Sequence, residues 1–454
     1  MRTTEFIIQL DVLIPIKLEQ YWLSRFKKLA KVESLKYNTF EITIFLFSWK
    51  WGMVMKLIER TLYLDRIKRV RNTPDIKIIT GIRRSGKSEL MRAYLKHIKE
   101  TEPETNLIEI DYGNLKYDDI KDYKSLYSYV ENNYKPNTKN VLMIDEVQLC
   151  HKFEIAVNSL HNSKKYDIYL TGSNAFLLSS DLSTLFTGRF IEIPIFPFSF
   201  KEYLEYFDIK DNFSNHLENY LKAGGLAGSY LYENEEDSNA YIKNLYTSLI
   251  KRDLVDRYNI EDISLLDTLT EFLMANISNL TTANNISNIF NNKKIKTNHV
   301  TIGNYIKYLC NAFMFYKVKR YDIRGKKHLE INDKYYLSDL SFRYSMLGVR
   351  NMDYRRAYEN IVAIELLRRG YDVYVGKLYE KEIDFIALKG SEKIYIQVSD
   401  NISREETLKR ELAPLISIKD AYPKIILANT TYPMTIKDGV KIFDLARWLM
   451  GDEN

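Results

Sequence analysis

The feature that most constrains this chain is the octet Gly81-Ile82-Arg83-Arg84-Ser85-Gly86-Lys87-Ser88, set directly after the run 76–80. It meets G-x-x-x-x-G-K-[ST] at every fixed position. A β-rich run precedes it, and a helical pattern at 89–100 follows it. Gly81 and Gly86 permit the tight curvature that turns backbone N–H groups inward, toward phosphate oxygens. The start of the following helix adds partial positive charge. Lys87 is expected to reach the β- and γ-phosphates of ATP, and Ser88 to ligate Mg²⁺. Arg83 and Arg84 add charge at the mouth. They contact phosphate or a neighbouring subunit, or stand solvated.

A strand–loop–helix of this kind needs a sheet to sit in. Strand-like runs at 107–111, 141–144 and 168–171 alternate with helical stretches at 126–132 and 153–160. That order predicts an α/β fold, a P-loop NTPase with a mostly parallel sheet covered on both faces. Ligands then lie beyond the carboxyl ends of the strands. The run 141–144 ends in Asp145-Glu146. Asp145 suits Mg²⁺, and Glu146 suits the water that attacks the γ-phosphate. After 168–171, Ser173 or Asn174 is a candidate for orienting water or sensing the γ-phosphate. Arg189 is a candidate for neutralising transition-state charge, from the same or an adjacent subunit, or else a surface ion pair.

Composition narrows the remaining classes. A chain of 454 residues suggests two to four domains. Lys plus Arg number 66 against 60 acids, and a net charge of +6 permits a nucleic-acid partner without implying one. Two cysteines exclude a disulfide framework or a cysteine-built zinc site and fit a reducing, cytoplasmic setting. The six histidines are scattered without metal-ligand spacing. No apolar run reaches 18 residues, which argues against integral membrane insertion. Residues 1–54 form an N-terminal extension expected to be non-essential, with the core at 55–205 and a mostly helical, lid-like segment at 206–260. At 261–350 a helix–turn–helix–hairpin order suggests a winged-helix-like module. Its lysines and arginines, with a wing at 321–329, are candidates for DNA phosphates or a solvated edge. Residues 351–454 return to α/β.

Taken in order, the motifs resemble those of the prokaryotic AAA-type ATPases that carry a C-terminal domain of unknown function. The resemblance rests on Ile79 through Ser88, Ile144-Asp145-Glu146-Val147-Gln148 and Thr171-Gly172-Ser173-Asn174. It continues through Pro197-Phe198-Ser199-Phe200-Lys201-Glu202-Tyr203, Gly224-Gly225-Leu226, Lys251-Arg252-Asp253, Tyr336-Leu337-Ser338-Asp339 and Lys381-Glu382-Ile383-Asp384-Phe385. It implies an ATPase core, a winged-helix-like middle and a C-terminal domain with a restriction-endonuclease-like fold. A nuclease of that fold needs a helix glutamate, an Asp and a Glu-x-Lys pair. Glu359 and Asp384 match, but Gln397 and Ser399 stand at the last two positions. A neutral ligand and a missing ammonium predict weak metal binding and weak activation of water. The leading expectation is therefore an Mg²⁺-dependent ATPase switch coupled to DNA or to a protein, with a homo-oligomer as one possible assembly. Its alternatives are an ATP-dependent nuclease or an ATP-controlled defence or regulatory scaffold.

Overall fold

Five strands build the first sheet: β1 (Ile76–Thr80), β2 (Asn106–Asp111), β3 (Asn140–Asp145), β4 (Tyr166–Thr171) and β5 (Phe190–Pro194). Their order is β2-β3-β4-β1-β5, and every pairing is parallel. The computed structural model describes residues 56–172, 186, 188–325, 327–348 and 353–452, without the side chains of 327–331. Ser173, Asn174 and the 1–54 extension lie outside the described residues.

Period-two alternation sends successive residues to opposite faces, and both faces of this sheet are dry. Ile76, Ile78, Leu142, Ile144, Ile168 and Leu170 pack on one side, against α3 (Tyr123–Asn132) and α4 (Phe153–Asn162). Ile79, Val141, Met143, Tyr169 and Ile193 pack on the other, against α1 (Thr61–Arg69) and α2 (Lys87–Thr101). The α2 stripe Leu90, Met91, Tyr94, Leu95, Ile98 has the i, i+3/i+4 spacing that makes such a face. Lys77 points the same way as Ile79, and its buried ammonium is held by Asp167 at 2.5 Å and the Thr73 carbonyl at 2.7 Å.

Downstream come α5 (Phe200–Tyr206), α6 (Phe213–Ala223) and α7 (Glu235–Ser248), which runs into a π-helical turn, Leu249–Val255. Then follow α8 (Ile263–Ala275), α9 (Ala283–Asn292) and α10 (His299–Asn311), with the hairpin β6 (Phe315–Asp322) and β7 (Lys327–Leu337). The hairpin is not a free-standing wing, because β6 pairs in parallel with β8 (Asp372–Leu378). The boundary expected at 350/351 thus cuts a continuous sheet. At the base of the wing, Arg320, Tyr321 and Asp322 pair with Val375, Gly376 and Lys377, and the Ile323 N–H donates to the Lys377 carbonyl at 2.9 Å.

The sheet is completed after α11 (Leu340–Leu347) and α12 (Tyr354–Arg368) by β9 (Lys381–Lys389), β10 (Glu392–Asn401), β11 (Lys424–Asn429), β12 (Met434–Lys437) and β13 (Val440–Asp444). The order of the eight strands is β12-β13-β11-β10-β9-β8-β6-β7. α13 (Glu405–Ile416) covers one face, joining Leu412 and Leu415 to Ile386, Tyr395 and Ile426. α12, buried nearly all round, covers the other together with α14 (Leu445–Met450). Among the described residues no helix is long and apolar enough to cross a membrane.

Candidate functional site

The octet lies between the end of β1 and the start of α2, where the parallel register brings the ends of β1, β4 and β3 side by side. Gly81 holds φ at +138°, and a Cβ there would come within 2.1 Å of the Ile195 carbonyl oxygen, so the turn requires glycine. Gly86 also has positive φ, at +92°. Lys87 is buried and donates to the carbonyls of its own loop, Gly81 at 2.9 Å and Ile82 at 3.1 Å. Burial lowers its ammonium to about 8, while Glu146 and Asp145 pull in the opposite direction. The Ser85 hydroxyl is buried with no hydrogen-bond partner, and Ser88 is half-buried at the first turn of α2. Arg84 is exposed with φ at +67°. Ile82 faces away from the loop into the core shared by the middle helices.

At the end of β3, the Thr171 hydroxyl donates to Asp145 Oδ1 and accepts the Glu146 N–H at 3.1 Å. Glu146 sits at φ +53°, a left-handed conformation that a non-glycine residue adopts only under local constraint. Its carboxylate accepts a hydrogen bond from Gln148 Nε2. Thr171 was legible only as the last residue of a strand; the order β3-β4-β1 makes it the bridge between acid pair and loop. These groups fit an Mg²⁺-bound polyphosphate: Lys87 and the start of α2 for phosphate charge, an unsatisfied Ser85 hydroxyl, and Ser88 with Asp145 for a hard cation.

Two supports of the loop escaped the motif reading. Arg60, only 5% exposed, donates to the Ser85 carbonyl at 2.8 Å and the Phe196 carbonyl at 2.8 Å. It also pairs with Glu202 at 2.8 Å and lies 4.5 Å over the Tyr63 ring. Glu202 closes a capping box with Ser199 at the start of α5, the one part of this support with a sequence signature, S-x-x-E. The second is Asp253, on the π turn, whose carboxylate takes both Nε and Nη2 of Arg83, at 3.2 and 3.0 Å.

Arg189 does not join its own site. It precedes β5, where its carbonyl accepts the Ile76 N–H, and its side chain is exposed and donates to Asn162 at 2.9 Å. That is the amino end of β1, about 16 Å of strand away from the loop. This register sets Arg189 away from the loop of its own chain, with its side chain in a surface contact to Asn162.

In the C-terminal sheet, Glu359, Asp384 and Gln397 do converge. Asp384 Oδ2 accepts the Val398 N–H at 2.8 Å, Gln397 Oε1 accepts the Asp384 N–H at 3.3 Å, and Gln397 Nε2 donates to Glu411 at 3.1 Å. Ser399 is buried one step further along β10. An unforeseen ammonium fills the cluster: Lys334 of β7 reaches Glu359 at 2.8 Å and Glu382 at 2.8 Å. The Tyr336 hydroxyl donates to Glu359 at 2.7 Å. Burial would depress the Lys334 pKa, but Glu359, Asp384 and Glu382 raise it. Burial, then Glu359, push Asp384 up to about 7. A fixed cation stands among these carboxylates, and no group of three or more His, Cys, Asp or Glu among the described residues is arranged to hold a metal ion.

Residues 73–204, from just before β1 into α5, match the AAA domain family, and residues 214–353 match a domain of unknown function. An uncharacterized protein of Haemophilus influenzae is 36% identical over 404 residues, covering 88% of this chain and 100% of that protein. The chain belongs to that protein's family, and its own residues 73–204 carry the AAA domain. An uncharacterized protein of Methanocaldococcus jannaschii is 26% identical to this AAA-domain chain over 374 residues, 79% of this chain and 82% of the other. Among solved structures, the Aeropyrum pernix ORC1 protein in complex with DNA aligns at TM-score 0.31 and 10% identity, covering 70% of this chain and 95% of that one. AMPPCP-bound DnaA from Aquifex aeolicus aligns at TM-score 0.26 and 16% identity, over 54% and 85%. Superpositions this loose add nothing to an assignment that rests on the sheet, the loop and the AAA-family match.

Proposed function

We propose that the protein binds ATP with Mg²⁺ at the 81–88 loop, hydrolyses it, and uses the cycle as a switch on a DNA or protein partner. The observation that carries this is the shared edge of β1, β4 and β3. There, Thr171 hydrogen-bonds both Asp145 and the Glu146 N–H, and the two acids act electrostatically on the buried Lys87 ammonium. In this reading Lys87 and Ser85 bind phosphate oxygens, and Ser88 and Asp145 hold Mg²⁺, which would neutralise charge on the transferred group. Glu146 then orients and deprotonates the attacking water. Asn174 keeps its role as a candidate sensor, and Arg189 acts only toward an adjacent subunit. Phosphate release from Mg²⁺–ATP tests the assignment. Lys87→Ala should lose binding and turnover, and Glu146→Gln should keep ATP but not hydrolyse it; unchanged hydrolysis in both rejects it.

The partner-facing part of the reading draws on the middle and C-terminal regions, with a winged-helix-like element spanning α8 to β7. The exposed side of α10 carries Asn304 and Lys307, and Lys294 and Lys296 precede it, so this face suits nucleic-acid phosphates. The C-terminal domain, restriction-endonuclease-like in this reading, serves binding or scaffolding rather than cleavage, because Lys334 occupies the acid cluster. The protein is taken to act in the cytoplasm, consistent with two unpaired cysteines.

A further inference from the structure

Arg83 and Asp253 join two parts of the chain separated by 170 positions. Arg83 is in the phosphate-binding loop and 25% exposed; Asp253 is 6% exposed on the π turn. A π turn inside a helix is rare and frequently marks a functional site. Here it presents Asp253 to the loop, while its neighbours Leu249, Ile250 and Leu254 are fixed in the core that continues through α8 and α12 to the C-terminal sheet. Lys251 and Arg252, on the same turn, are exposed.

The pair sits within the field of the nucleotide site. Glu146 acts on Arg83, and Asp253 acts on Lys87. A guanidinium fork grips carboxylate and phosphate with the same two-point geometry. A polyphosphate entering the loop therefore competes with Asp253 for Arg83, and an ionised Asp253 left nearby repels it.

We propose that Arg83–Asp253 is a nucleotide-operated latch: phosphate binding draws Arg83 from Asp253 and so releases the π turn and the downstream core it is built into. The latch rests on the reading of the loop as an ATP site. It makes Asp253 a positioning residue that sets nucleotide affinity without touching the reacting atoms.

The test uses the full chain, Mg²⁺ and AMPPCP, with calorimetric titration and amide hydrogen exchange. Asp253→Asn should bind AMPPCP about tenfold more tightly, the size of an ordinary coupling between two sites. Most of that gain should vanish in the Arg83→Gln background. In the wild type, AMPPCP should speed exchange across 249–255, whereas Asp253→Asn should exchange fast there without nucleotide. Affinity within about twofold of wild type, or weakened, in a variant that melts normally overturns the latch. So does unchanged exchange at 249–255 in nucleotide-bound wild type, a result that needs no variant to fold. Wild type that fails to bind AMPPCP at all overturns the ATP reading together with the latch.

Discussion

Replacing Arg60 by Met removes the guanidinium beneath the phosphate-binding loop and leaves a side chain of similar length. Glu202, nearly buried, then loses the guanidinium paired with it at 2.8 Å, and the carbonyls of Ser85 and Phe196 lose donors at 2.8 Å. Removing one partner of a buried ion pair costs about 3–5 kcal/mol. The orphaned carbonyls add to that, but not additively, since all share one guanidinium. Taking about 4 kcal/mol, and about 2–4 °C per kcal/mol for large domains, the melting temperature should fall by about 8–16 °C. Acid sensitivity supplies a second readout. Burial would raise the Glu202 carboxyl, but Arg60 outweighs it and holds the group below its ordinary 4.5. A depressed carboxyl stabilises the fold above its unfolded pKa and loses that contribution as pH falls through the folded one. The wild type should therefore lose stability below about pH 4.5 more steeply than Arg60→Met. Arg60→Met/Glu202→Leu, with neither charge of the pair left, should regain much of the loss. A single variant that melts within about 2 °C of wild type would refute the reasoning.

Four further outcomes follow from other buried groups, from the acid cluster and from the start of the fold. Burial pushes Asp339 up to about 6, so the folded state holds its proton more tightly. Its contribution should fall by up to about 3 kcal/mol between pH 4 and 6 and then level off, a slope that Asp339→Asn should remove in urea titrations at each pH. Lys334→Met should lower stability by about 3 kcal/mol by leaving Glu359 and Asp384 without their ammonium. The unaltered protein should not nick plasmid with Mg²⁺ or Mn²⁺; nicking abolished by Asp384→Ala would restore the nuclease reading. A chain beginning at Met55 keeps Lys56 on Asp208 at 2.8 Å and Arg60 in place. It should melt within about 2 °C of the full chain and release phosphate at the same rate.

The parts of the fold that were legible are those where local pattern and burial agree. β1 spans 76–80 as read, a β-rich run ended by the glycine of the phosphate-binding octet. The acid pair was legible for the same reason, as charge abruptly ending the dry strand β3. α9 was not: Ala283–Asn292 carries five asparagines, poor helix formers, and is held by Ile286 and Phe290 in the core and by a Thr282 cap. β12 and β13 are short, and only the pairing of β13 with β11 gives them a place. At the site, Gly81–Ser88 announces itself, but Arg60, Asp253 and Lys334 have partners 142, 170 and 25 positions away and no periodicity to mark them. The Gln397 and Ser399 substitutions were visible in sequence; that Lys334 brings a cation from another strand was not. The hairpin strands β6 and β7 were legible, but the non-local pairing of β6 with β8 was not.

The most direct measurement is phosphate release from Mg²⁺–ATP by the full chain beside Glu146→Gln, with nucleotide binding measured on both. The account predicts that wild type binds and hydrolyses ATP, while Glu146→Gln binds ATP comparably and releases phosphate at least about a hundredfold more slowly, as expected when a general base is lost. Equal turnover in the two proteins, or no ATP binding by wild type, would contradict it.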